Sequence, residues 1–511
     1  MIFVDTKTLA LHIRDHADPD QRYAILSHVW GLTKDEVTYE EMLVPPQDRP
    51  KSTLAKPGYQ KIIETCRIAS SSRYKLPYAW CDTCCINKSS SAELSEAINS
   101  MFKYYKEASM CFAYLFDVTD SGYTFNSSKW FSRGWTLQEL IAPKDLVFYG
   151  QKWEFRGTKA SLATQITEIT GIPDKILKHE MELSEIPVAQ RFSWASERKT
   201  TREEDVAYSL LGIFDINMAM LYGEGSKAFI RLQEQILSES ADGSIFLWND
   251  PFSYQKLIGL LAPSPKSFRQ MRSITPEPTL RPRDFYLTNR GIRLKLGLAW
   301  DNDTGLAILP VKHSLGTVGR PVGIYLRRVG PDLFVRAQPQ ECPTVKTEVT
   351  YTEFTAVKLL TATQASTIMD KVMRVVKPDD VHVSRVQPHG LWDPSAKWLH
   401  ATHTGAIIGY LEFKTESYPV FAFVFFFSNG HWSATVVVGD RWAANRKKFH
   451  KHYRGNLDEL RYNDTMGDAR MERIEKIKPD SNVLTLHMRV ARGTGRPHLE
   501  IREVDRKGGT H

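Results

Sequence analysis

The sequence predicts an α/β protein: a doubly wound parallel sheet with a helical extension, followed by a β-rich C-terminal domain. Three observations predict it. Over the first 150 residues, short apolar runs alternate with apolar residues at helical spacing. From about 160 to 240 the pattern is helical throughout, and beyond about 286 apolar and polar residues alternate with a period of two.

The first strand is Tyr23–His28, a nearly continuous apolar run of the kind that marks a strand buried on both faces. Tyr78–Cys81, Cys111–Phe116 and Leu146–Tyr149 repeat that pattern. Between the first two strands, Tyr59, Ile62, Ile63 and Cys66 fall on one helical face; between the next two, Leu94, Ile98, Met101, Phe102 and Tyr105 do. A third helix follows, with Ser132 placed to cap its start and Pro143 to end it. It carries Trp135, Leu137, Leu140 and Ile141, and one acid, Glu139. So short a helix cannot persist alone in water and must pack on a larger body. Strands alternating with helices imply a parallel sheet with right-handed crossovers, and ligands bind beyond the carboxyl ends of such strands. The polar residues at those ends are Ser27, His28, Asp82 and Asp117.

This α/β domain is expected over 1–155, and the helical extension over 156–245. In the extension, Val206, Leu210, Leu211 and Phe214 share one face and Phe229, Leu232, Ile236 and Leu237 another, with a break at Tyr222–Ser226. A linker over 246–285, rich in Pro and Ser, leads to the β-rich domain at 286–511. No internal repeat is evident, which disfavours a solenoid or propeller.

Composition narrows the function classes. At 511 residues the chain exceeds a single core, and 42% hydrophobic with 25% charged residues is an ordinary globular balance. The opening residues do not form a signal peptide, and the longest apolar run, Val420–Phe427, is too short to span a bilayer. No membrane partner and a cytoplasmic location are therefore expected. Six unevenly placed cysteines suit a reducing setting rather than a disulfide framework. Cys81, Cys84 and Cys85 lack a second ligand pair, so no metal is expected. The net charge of +8 permits an acidic ligand without demanding nucleic acid. The basic cluster Arg446, Lys447, Lys448, Lys451 and Arg454 has no accompanying nucleic-acid motif and reads as a solvated face. Gly223-Glu-Gly225 lacks the Walker spacing and reads as a turn.

Three blocks carry a family resemblance: Tyr23–Gly31 (YAILSHVWG), Trp80–Lys88 (WCDTCCINK) and Trp130–Pro143 (WFSRGWTLQELIAP). In order and spacing they resemble the signature blocks of the fungal heterokaryon-incompatibility (HET) domain. Val29 stands where that family commonly has Thr, and Asn87 where it commonly has Asp. The stretches Glu204–Phe214 and Leu221–Gly225 resemble the segment that often follows the domain, so the likeness covers roughly the first 250 residues. The β-rich half is similar to a tail found in many such proteins.

The HET domain is in turn similar to the Toll/interleukin-1 receptor (TIR) domain, which implies a TIR/flavodoxin-like sheet. Many TIR domains hydrolyse NAD with a glutamate on the third helix, and the matching position here is Glu139. The resemblance implies a cell-death protein that cleaves NAD to nicotinamide and ADP-ribose when assembled as a homo-oligomer. NAD is then substrate rather than cofactor, and an incompatibility partner protein is a further expectation. The pocket would come from Ser27, His28, Trp30 and the loop from Asp82 to Ser91; Arg133 would meet the diphosphate, and Trp30 or Trp135 would stack on a flat ring. The chemistry is consistent with a single carboxylate, because the cationic nicotinamide leaves neutral and needs no acid.

The plainer readings stand beside these. Glu139 is also readable as a solvated helix carboxylate, Arg133 as an ion-pair partner of Asp117 or Asp120, and Trp80 and Trp135 as core. His28 is readable as a backbone hydrogen-bonding residue, and the whole domain as a non-catalytic death-signalling module acting through protein–protein contacts.

Overall fold

The computed structural model describes residues 1–13, 22–119 and 125–251 without a break, most of 253–446, and three strands within 473–504. The chain forms two compact units. The first is Met1–Asn249 with Leu261–Pro282 and Lys312–Gly319; the second is Asp250–Leu260, Arg283–Val311 and Arg320–His511.

A seven-stranded sheet organises the first unit, with β1 (Ile2–Asp5), β2 (Leu11–Ile13), β3 (Tyr23–His28), β4 (Tyr78–Trp80), β5 (Met110–Tyr114), β6 (Leu146–Tyr149) and β7 (Phe155–Thr158) in the order β2-β1-β4-β3-β5-β6-β7. The four central strands, β4-β3-β5-β6, are parallel. The margins are not. β1 runs antiparallel to β2 and β4, and β7 antiparallel to β6, so the sheet is mixed rather than wholly parallel. β2 and β7 escape the apolar-run pattern because they are short and half-covered, with Ile13 79% and Phe155 56% exposed, whereas β1 lies inside β2 and buries Phe3 and Val4.

Helix α1 (Pro57–Ser70) joins β3 to β4, α2 (Ser91–Glu107) joins β4 to β5, and α3 (Thr136–Ile141) lies between β5 and β6. Tyr59, Ile62 and Cys66 of α1 are buried, as are Ile98, Met101 and Tyr105 of α2. Ile63, Leu94 and Phe102 stay partly exposed at the edges of those faces. β4 and β5 flank β3 on opposite sides, so strand order reverses at β3, and Ser27 and His28 stand at its carboxyl end.

The entry to α3 differs from the expected one. Ser132 does not cap it: a 3₁₀ turn, Lys129–Ser132, comes first, and the Ser132 hydroxyl donates to the Lys129 carbonyl at 2.9 Å. The backbone between is engaged elsewhere. Lys199 N–H donates to the Ser132 carbonyl at 2.7 Å, and Gly134 N–H to the Lys199 carbonyl at 2.8 Å. Glycine is required there, since a Cβ at residue 134 would lie 2.4 Å from Thr200 Cγ2. All six residues of α3 are buried, Glu139 included.

The predicted face Val206–Phe214 is split into two one-turn helices, Asp205–Tyr208 and Leu211–Phe214. Gly212 packs so closely on Phe102 that a Cβ would come within 2.0 Å of it, and Asp215 ends the second turn in a left-handed conformation. Val206 is partly exposed and Ala207 takes its place in the buried set. Phe229, Leu232, Ile236 and Leu237 are buried on a true helix, Lys227–Glu239. At the 223–225 turn, the N–H groups of Gly223 and Gly225 donate to Glu204 Oε1 at 2.7 and 3.1 Å, so the protein's own carboxylate fills that nest.

The second unit is β-rich. Its four-stranded sheet orders His382–Gln387, Ile407–Lys414, Phe421–Ser428 and His431–Val438 side by side, with Phe413, Phe421, Phe423 and Phe425 in the core. Of the basic cluster, Arg446 Nη1 pairs with buried Glu412 at 3.3 Å, so this residue is not part of a merely solvated face. Lys447, Lys448, Lys451 and Arg454 lie outside the described residues. Among the described residues, no helix is long and apolar enough to cross a membrane.

Candidate functional site

Ser27 and His28, adjacent on β3, point to opposite sides of the sheet as strand geometry demands, and each anchors a separate polar cluster. Ser27 is fully buried, and the Trp130 indole N–H donates to its hydroxyl at 2.8 Å. An indole can only donate, so Ser27 must turn its own proton onward. It donates to Glu139 Oε2 at 2.5 Å. This chain, Trp130 to Ser27 to Glu139, fixes the carboxyl group from one side. The other carboxyl oxygen makes no hydrogen bond among the described residues.

Glu139 is 4% exposed, so it is not a solvated helix carboxylate. Burial, and then the like charge of Asp82, push its carboxyl up to about 8, against the pull of Ser27, Arg133 and Arg198. At neutral pH the free site therefore holds a protonated acid, where the chemistry derived from the sequence assumed an ionised one.

His28 faces the second cluster. Its Nδ1 lies 2.9 Å from Lys61 Nζ and its Nε2 3.2 Å from Asp82 Oδ1. The Nε2 proton is directed at Asp82; against burial and the Lys61 charge, the hydrogen bonds to Asp82 and Cys81 raise the ring's proton affinity to about 9. Lys61 also bridges to Glu36 Oε1 at 2.5 Å. The Trp30 indole N–H donates to Asp82 Oδ2 at 2.8 Å. Burial opposes ionisation of Asp82, but His28, Lys88 and Trp30 outweigh it and hold the carboxyl below its usual range. His28 is thus a side-chain partner of two charged groups rather than a backbone ligand.

Ligand atoms of His28, Cys81 and Asp82 lie within 4.8 Å of one another. Their chemistry does not suit a metal. The nitrogen a cation would need is protonated and committed to Asp82, and the Cys84 hydrogen bond and burial raise the Cys81 thiol well above its ordinary value.

A family model described as heterokaryon incompatibility protein (HET) matches residues 23–127. Residues 23–127 carry a HET domain. The chain is similar to vegetative incompatibility protein HET-E-1 of Podospora anserina, 44% identical over 227 residues, which is 42% of this chain and 16% of that protein. No solved structure matches.

The matched part of the HET domain supplies Ser27, His28, Trp30 and Asp82; the Glu139 segment follows it directly. The remaining candidates divide. Arg133 has its guanidinium carbon 5.7 Å from the centre of the Trp30 ring and so belongs to the same rim. It does not pair with Asp117, which accepts instead from the Ser128 hydroxyl and the Lys129 N–H, both at 2.8 Å. Asp120 lies outside the described residues. Trp135 is partly buried and its side chain hydrogen-bonds Asp205 of the helical segment. Trp80 is core, 1% exposed.

Four contributors to the HET-domain site had no distinct signal in the sequence. Lys61 sits on the polar side of α1, where a lysine reads as solvated. Trp130 opens a signature block but looks like any core indole. Lys159, 1% exposed, donates to the carbonyls of Leu140 and Pro143 and so holds the carboxyl end of α3. Arg198, 9% exposed, donates through Nη1 to the Arg133 carbonyl at 2.8 Å and to Thr136 Oγ1 at 3.0 Å, bracing the amino end of the same helix.

Proposed function

We propose that the HET domain hydrolyses NAD to nicotinamide and ADP-ribose, with Glu139 as the catalytic carboxyl group, and that this activity serves heterokaryon incompatibility as a cell-death effector. The central observation is the buried Glu139 carboxyl, aimed by Ser27 and Trp130 at the carboxyl end of β3 with one oxygen unpaired among the described residues. The parallel order β4-β3-β5-β6 supports a TIR/flavodoxin-like, doubly wound reading, in which this rim is the ligand site. The name of the Podospora relative supports the incompatibility role.

The chemistry follows from the charges. The glycosidic C–N bond of NAD breaks with its electrons going to the pyridinium nitrogen, so nicotinamide leaves neutral without a general acid. A nearby cation lowers a carboxyl's proton affinity by roughly one to three units. Entry of the pyridinium therefore favours ionisation of Glu139 at the moment an anion is needed. The carboxylate then stabilises the oxocarbenium-like ribose and accepts the proton of the attacking water. Arg133 meets the diphosphate, and Trp30 lies beside the ring. Assembly of several copies is part of the proposal.

The test is nicotinamide release from NAD by the purified chain over a range of protein concentrations. Release that Glu139→Gln abolishes supports the reading; no release at any concentration, or release unchanged by that substitution, overturns it. A second reading, a non-catalytic module, is favoured by the exposure of Leu32 (64%) two residues beyond Trp30. Under it, Glu139→Gln leaves toxicity intact while Leu32→Asp abolishes it.

A further inference from the structure

The Trp30 ring, 37% exposed on the rim, is held in one orientation and already carries two cations, the Arg133 guanidinium at 5.7 Å from its centre and a closer lysine. Its N–H is tied to Asp82 Oδ2 at 2.8 Å, and Asp82 is held in turn by His28 at 3.2 Å. Lys88 Nζ sits 4.0 Å from the centre of the ring. Lys88 is an exposed residue, and its ammonium forms no salt bridge among the described residues. The aromatic face holds it there, with the charge of Asp82 beyond the ring. A hydrogen bond from the indole to a carboxylate enriches the ring in electrons, which strengthens its attraction for a cation.

We propose that Trp30 is a cation-selective platform for the pyridinium ring of an oxidised nicotinamide ligand, and that Lys88 is a built-in competitor which occupies it until the ligand arrives. A compact ammonium is strongly hydrated and gains little from an exposed indole. A planar, poorly hydrated pyridinium covers more of the ring and sheds less water, so it displaces Lys88 at small cost. The oxidised ring meets this condition, whereas the neutral dihydro ring does not. The inference rests on the reading of the rim as an NAD site. It fails separately from that reading, because binding breaks no bond.

The experiment is a ligand-observed NMR titration of the full chain with 1-methylnicotinamide, a pyridinium cation, and with nicotinamide, its neutral counterpart. The wild type binds the cation more tightly than the neutral ring. Lys88→Met tightens cation binding roughly two- to five-fold, the factor matching an exposed cation–π contact, while nicotinamide remains the weaker ligand in both proteins. Trp30→Leu removes saturable cation binding, and Trp30→Phe, which keeps a weaker ring, gives an intermediate Kd. The gain from Lys88→Met persists in about 0.5 M salt, where long-range charge effects are screened. The proposal is overturned if Lys88→Met leaves or weakens the cation's Kd, if its gain vanishes in that salt, or if nicotinamide binds as tightly as the cation. A chain that binds the cation in this pattern yet releases no nicotinamide from NAD refutes the hydrolase reading and leaves the platform standing.

Discussion

Replacing Glu139 by Gln should stabilise the HET domain, and by more as pH rises. The carboxyl moves from an ordinary 4.5 to about 8 on folding, with burial as the leading cause. At about 1.36 kcal/mol per unit, that rise is a linkage of up to about 5 kcal/mol. The sign follows from proton counts. Below the unfolded value both states hold the proton and the group costs nothing extra. Between 4.5 and about 8 the unfolded chain releases a proton that the folded chain keeps, so folding loses stability steadily. Above about 8 the loss is complete.

The amide introduced by Glu139→Gln would keep an acceptor for the Ser27 hydroxyl and has no proton to lose. The variant's advantage over wild type should therefore be near zero at about pH 4.5 and reach several kcal/mol by about pH 9. The chain has two units, so a single melting curve is not a two-state quantity. Urea-dependent hydrogen exchange of peptides covering β3 and α3 reads the relevant unit, and comparing both proteins at each pH cancels intrinsic exchange rates. A difference that stays within about 1 kcal/mol from pH 5 to pH 9 would refute the burial argument and, with it, the protonated resting site.

Three further expectations follow from the same geometry. If Glu139 must ionise to act, kcat/KM for nicotinamide release should rise with pH along a limb near 8, and a flat profile between about pH 6 and pH 9 would exclude it. Ser27→Ala strands the Trp130 indole N–H without a buried acceptor, costing about 1–3 kcal/mol in urea unfolding, and moves the alkaline limb higher because the hydrogen bond that favours the anion is gone. Lys159→Met removes the side-chain donor from the Leu140 carbonyl, leaves the Pro143 carbonyl to His179 Nε2 at 3.0 Å, and should cost about 1–3 kcal/mol; faster amide exchange confined to α3 and its flanks would confirm its bracing role, and unchanged exchange there would disprove it.

What the sequence disclosed depended on how local each feature was. β3 and β6 fall at Tyr23–His28 and Leu146–Tyr149, where the apolar runs put them, because a strand buried on both faces must be apolar throughout. β2 and β7 gave no such run, since strands at a sheet margin need only one covered face. In the extension, spacing alone cannot separate one helix from two turns with the same buried residues; the close approach of Gly212 to Phe102 divides them. The start of α3 went astray for a similar reason. Ser132 has good capping chemistry, but its carbonyl belongs to Lys199, a partner 67 positions away that no local pattern reports.

The same divide runs through the site. Ser27, His28 and Asp82 were findable because a fold rule places strand ends on one rim. The structure brings Glu139 to Ser27, Trp30 and His28 to Asp82, and Trp135 to Asp205. Lys61, Trp130 and Arg198 enter through contacts between residues far apart in sequence. The proton on Glu139 belongs to this second class. A carboxyl's charge state is set by the volume of protein around it, and the α3 pattern says nothing of that volume. A site holding a neutral acid tolerates the nearby Asp82 anion, which two ionised carboxylates in a dry pocket would not. The arrival of a cation reverses that balance, because each negative charge then gains a partner. On this argument the buried acid and the cation-bearing Trp30 ring are two parts of one device, each neutralised at rest by a group of the protein itself: a proton on Glu139 and Lys88 on the ring.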